Sequence, residues 1–124
     1  MSCAPSETGR REPTLPAAER RLVLEVYEPP HHQTKLVVRE PDDQTIEETI
    51  RGLSWSDITF VVLKADEQNW IEGSGSHKDD FSARFARGGR EYVSQGRPTL
   101  EEIAELLKSY RAGDGRWERM LTWQ

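Results

Sequence analysis

The chain has 124 residues, of which 35% are hydrophobic and 31% charged, and carries a formal charge of −5. That length has room for one modest core rather than two. The dispersed charge leaves no apolar run of about 18 residues for a membrane-spanning helix, and the single cysteine rules out an intramolecular disulfide.

The first eighteen residues mix Pro5, Pro13 and Pro16 with small and charged side chains. They bury too little apolar surface to offset the entropy of ordering, so residues 1–18 are expected to be a flexible tail. Cys3 lies within it and is expected to be an exposed bystander. No apolar stretch of the signal-peptide kind separates the early charges, so a cytoplasmic location is expected. The folded domain should span residues 19–124.

In residues 21–27, Leu22, Leu24 and Val26 alternate with more polar positions, the pattern of a strand with one buried face. Pro29-Pro30 ends it, and residues 35–39 resume strand-like composition, so an antiparallel hairpin with a loose loop is expected. Residues 42–52 read as a helix, because Ile46, Ile50 and Leu53 recur on one face. Asp42, Asp43 or Thr45 can cap it, Thr45 with Glu48 at capping-box spacing, and Gly52 is a natural terminator.

Residues 58–63 (Ile-Thr-Phe-Val-Val-Leu) are nearly all apolar, which marks a central strand covered on both faces. A turn at 65–69 leads into a strand at 70–72, and Gly73-Ser74-Gly75-Ser76 should be a bulge, a close backbone approach or a loop. Residues 81–87 alternate strictly, placing Phe81, Ala83 and Phe85 on one face and Arg84 toward solvent or a partner. Gly88-Gly89 then turns the chain into a strand at 90–94. The last helix is the clearest: Thr99 and Glu102 form a capping box, Leu100, Ile103, Ala104, Leu107 and Tyr110 share a face, and Gly113 closes it. The aromatic tail from Trp117 to Trp123 should pack back as a short strand or turn. The expected fold is therefore a single α+β domain, a mostly antiparallel sheet of five or six strands with two helices on one face.

No catalytic constellation emerges. His31, His32 and His77 lack the spacing that fixes a metal on a rigid element. The run from Gly73 to Lys78 has phosphate-loop ingredients at the wrong spacing, with no helix to follow. No Gly-x-Ser-x-Gly or supported Cys-His pair offers a nucleophile. Catalytic, cofactor-binding and metal-binding residues are all expected to be absent, which points to binding. Charge is polarised along the chain: Asp42, Asp43, Glu47 and Glu48 gather on the first helix, whereas Arg84, Arg87, Arg90 and Arg97 gather near the hairpin. The acidic average makes nucleic acid an unlikely partner. Of the four tryptophans, Trp55 and Trp70 are the better candidates for exposed anchors.

The order of these elements resembles the first-described family of immunity proteins from bacterial polymorphic-toxin systems. The resemblance runs from about Pro41 to Trp123. Its marks are Thr45-Ile46-Glu47-Glu48-Thr49-Ile50, the strand at 58–63, Trp70-Ile71-Glu72-Gly73-Ser74-Gly75, the strand from Phe81 to Phe85, Pro98-Thr99-Leu100-Glu101-Glu102 and the closing Leu121-Thr122-Trp123. It implies a cytosolic protein without an active site that binds and neutralises a cognate toxin, frequently a nuclease or nucleic-acid deaminase. Acids suit a toxin groove built to attract phosphate, so the expected partner surface is Asp42, Asp43, Glu47 and Glu48 with Trp55 and Trp70 as aromatic anchors. The alternative is a small regulatory domain that binds an anion or nucleic acid through the Arg84–Arg90 hairpin. An enzyme built on His77, Asp79 and Asp80 ranks third.

Overall fold

A computed structural model describes residues 21–28 and 33–124. In chain order they form β1 (Val23–Glu28), β2 (Gln33–Arg39), α1 (Asp43–Gly52), β3 (Thr59–Asp66), β4 (Asn69–Ser76), β5 (Asp80–Arg87), β6 (Arg90–Gln95), α2 (Leu100–Ala112), α3 (Trp117–Met120) and β7 (Thr122–Trp123). The strands make one open sheet in the order β2-β1-β3-β4-β5-β6-β7, every neighbouring pair antiparallel. The expected tail and the residues Pro29, Pro30, His31 and His32 lie outside the described residues.

The fold is α+β as expected, with seven strands and three helices among the described residues rather than five or six and two. Both additions come from the aromatic tail, where α3 is four residues long and β7 two. Elements this short have no periodicity to read; they exist because Phe85 and Tyr110 offer aromatic surface on which Trp117 packs edge-on or nearly so, Phe85 receiving Trp123 edge-on as well.

Caps set the two long helices. Asp42 is the N-cap of α1, its carboxylate accepting from the Thr45 amide at 2.8 Å, so of the three candidate caps this one is used. The α2 capping box forms between Thr99 and Glu102, and Gly113 closes the helix in the left-handed conformation with its amide donating to Ser109 and Tyr110. Ile46 and Ile50 of α1 join Ile103, Ala104, Leu106 and Leu107 of α2 in one core with Leu24, Val26, Val61, Leu63, Ile71, Ala83 and Phe85 of the sheet.

That core corrects the expectation for β3. Val61 and Leu63 are buried, but Phe60 and Val62 are only half-buried and Ile58 is exposed, so the strand is covered on one face. A nearly continuous apolar run marks a strand sandwiched between layers only when a second layer exists. Here α1 and α2 share one side of the sheet, and no described element covers the other. The glycine-rich segment, for its part, is a close approach within a continuous strand. A Cβ on Gly73 would lie 2.4 Å from Ile103 Cγ2, and one on Gly75, whose φ is +132°, would lie 2.2 Å from the Asp80 carbonyl oxygen.

Candidate functional site: the uncovered face of the sheet

Strand register arranges the uncovered face in rows. Val37, Glu25, Val62, Glu72, Arg84 and Val93 are successive cross-strand partners over six strands. On one side of this row, Val23, Lys64, Trp70 and Ala86 are partners in turn; on the other, Tyr27, Phe60, Ser74 and Ser82. Side chains from these rows and Glu67 of the β3–β4 turn enclose a cleft of about 340 Å³. Val37, Val93 and Ile58 add exposed apolar surface around it.

The cleft floor is ionic. The Glu72 side chain is only 8% exposed and accepts from Arg84 Nε at 2.8 Å. Arg84 Nη1 donates to Glu91 at 3.2 Å, and the guanidinium lies 5.4 Å over the Trp70 ring. The hydrogen bond to Glu72 raises the Arg84 pKa above its ordinary value. Lys64 Nζ is 3.0 Å from Glu67 and 3.8 Å from Glu25, and the hydrogen bond to Glu67, aided by the Glu25 charge, raises its pKa too. The Tyr27 hydroxyl donates to Glu25 Oε1. Charges held this way at a partly dry site contribute little net stability, since desolvation offsets much of the attraction; what they do is fix geometry.

The residues expected to bind a partner are divided by the fold. Asp42 is occupied as a helix cap. Asp43 lies 3.3 Å from Arg111 Nη1, and Glu47 is bound by Lys108 Nζ at 2.7 Å and by Arg51, so α2 and α1 itself supply counter-ions to the acidic helix. Glu48 is exposed and accepts from Gln44. Trp55 corrects the expectation of an exposed anchor. It is fully buried, its ring meets Phe81 edge-on, and its indole N–H donates to the Ile50 carbonyl at 2.9 Å. A residue three places beyond Gly52, the last residue of α1, can turn back under the helix end, and burying a tryptophan there satisfies both its apolar ring and its polar N–H. Trp70 stands on the uncovered face, in the cleft wall.

Alternation likewise splits the hairpin arginines. Arg84 points into the cleft, while Arg87 lies toward the opposite face, 3.1 Å from Glu118 and 5.7 Å from the Trp117 ring. Arg97 pairs with Asp80. The His77 amide donates to the Trp55 carbonyl and its ring meets Phe81 edge-on. Among the described residues, no group of three or more His, Cys, Asp or Glu side chains is placed to hold a metal.

Glu25, Lys64, Glu72 and Arg84 were not singled out together by the sequence. Glu25 and Arg84 have the alternation signature of outward strand positions, whereas Lys64 and Glu72 fall at the ends of the expected strands at 58–63 and 70–72, and the convergence of all four depends on register across four strands.

Comparison with protein-family models, curated proteins and solved structures found no match. No helix among the described residues is long and apolar enough to cross a membrane.

Proposed function

We propose that this chain is a non-enzymatic binding protein of the immunity kind, which neutralises a cognate nucleic-acid-targeting toxin domain by direct contact through the uncovered sheet face. The observation that carries this reading is the content of that face. Antiparallel sheets commonly leave one side to solvent, clothed in polar residues. This one instead carries Trp70, Tyr27, Phe60 and Val62 around an ordered Glu72–Arg84 pair. Tryptophan, tyrosine and arginine are the residue types that dominate interface energetics, and an anchor already fixed in place loses little entropy on binding.

The resemblance to immunity proteins supports the class of partner. The internal pairing of Asp43 and Glu47 with α2 favours the sheet face over α1 as the contact surface.

The test is to read the adjoining reading frame for a toxin domain, whose absence would overturn the proposal, and to co-express this chain with that domain. Rescue of growth and co-purification of a complex are the expected results, and Trp70→Ala should weaken the complex by about 2 kcal/mol or more. A wild-type chain that neither rescues growth nor binds that domain overturns the proposal.

A further inference from the structure

We infer that the partner element received by this face is basic, a loop whose arginine or lysine side chain enters the cleft beside Glu25 and Glu72. This rests on the proposed binding function and names the chemistry of the contact.

Charge is the first argument. The cleft is lined by the carboxylates Glu25, Glu67 and Glu72 against the cations Lys64 and Arg84, and Glu91 on the neighbouring strand shares Arg84. Acids therefore outnumber bases where a ligand would sit. Arg39 lies on the same face at the edge strand, across Val23 from Lys64, and is outside the cleft.

Geometry is the second. Glu25 and Glu72 flank Val62 in one row, two strand spacings or about 10 Å apart. Their side chains are 17% and 8% exposed and are held by the Tyr27 hydroxyl and Arg84 Nε. Each carboxylate has about four acceptor sites, so one such donor leaves capacity for a second. Because the acids are already oriented and partly dry, an incoming cation gains charge-assisted hydrogen bonds with little ordering cost.

Aromatic walls are the third. Arg84 over Trp70 shows that a guanidinium packs against this indole, and Tyr27 and Phe60 line the cleft on the other side of Val62. A phosphate would meet an acidic surplus, and a purely apolar insert would bury carboxylates without new partners.

The probe is a capped Gly-Arg-Gly-Arg-Gly peptide, with its glutamate counterpart as control, followed by amide and indole NMR of the full chain. Expected are saturable shifts in β1, β3 and β4 and at the Trp70 indole for the arginyl peptide, weakened by salt. Glu25→Gln should weaken binding about tenfold or more, and Glu72→Gln should act likewise. The same spectra report whether each variant is folded, and if Glu72→Gln is not, Glu25→Gln decides. No saturable shift, shifts confined to other surfaces, equal binding of the glutamyl peptide, or indifference to Glu25→Gln would each overturn the inference. The co-expression assay separates the two proposals. Undiminished rescue by Glu25→Lys removes the basic-loop contact and leaves the immunity function standing, whereas failure of the wild-type chain to rescue removes that function.

Discussion

Trp55 has a positive φ of 53°, a conformation uncommon for a bulky residue. It is tolerated because the side chain so placed meets several needs at once. The ring fills space beneath α1 against Phe81, the indole N–H satisfies the Ile50 carbonyl near the helix end, and the Trp55 carbonyl accepts the His77 amide. Trp55→Ala should therefore cost about 3–5 kcal/mol, read as a lower denaturant midpoint. Trp55→Phe keeps most of the volume, loses the hydrogen bond and should cost less. Trp70, although the same residue type, spends its ring on the cleft, so Trp70→Ala should leave the midpoint much nearer to wild type than Trp55→Ala does.

At the scale of elements, α2 is seated by a missing side chain. Ile103 Cγ2 lies 2.4 Å from where a Cβ on Gly73 would be, and a branched core residue has little room to yield. Gly73→Ala should destabilise by about 1–3 kcal/mol, and combining it with Ile103→Ala should cost less than the sum of the two single changes. The contact between α1 and α2 is partly electrostatic, which makes it pH-dependent. The Thr45 amide lowers the Asp42 pKa, the Lys108 ammonium lowers those of Glu47 and Glu105, and the Ser109 hydroxyl lowers that of Asp114. All four carboxyls thus take up protons more readily in the unfolded chain. Their stabilisation is present above the ordinary values of 3.8 and 4.5 and is lost as pH falls through the lowered folded values. Urea midpoints should be flat above about pH 5 and decline below it. Asp42→Asn, which preserves a cap, should reduce the decline.

Across the whole molecule, the C-terminal segment locks the far side of the sheet. Phe85 stacks on Tyr92 at 4.7 Å and receives Trp117 and Trp123 edge-on, while Val93 and Gln124 exchange backbone hydrogen bonds. Ending the chain after Gly115 removes two aromatic residues from this cluster. That truncation should cost more than about 3 kcal/mol, with earlier thermal unfolding and exposure of Phe85 to solvent detectable by dye binding. The opposite face behaves differently. No helix lies on it among the described residues, and its charges are arranged by strand register, so substitutions there should alter binding more than folding.

Local order was legible in the chain itself. Alternation at 21–27 and 81–87 identified strands, the cluster Asp42, Asp43 and Thr45 marked the start of α1 without deciding which residue caps it, and Thr99 and Gly113 marked the start and stop of α2, because caps and periodicity act over a few residues. The tertiary structure decided what depended on distant partners. The apolar run in β3 is half-covered because both long helices chose one side, Trp55 is hidden because α1 and β5 close over it, and Asp43 and Glu47 are neutralised by cations some sixty residues later in the chain. The cleft belongs to the same class, since Glu25, Lys64, Glu72 and Arg84 come together only through hydrogen-bonded register across β1, β3, β4 and β5. By itself the sequence determined one acidic α+β domain with its caps and turns in place. Which face stays bare, and which charges meet on it, was settled by packing, because burial is a property of neighbours far apart in the chain.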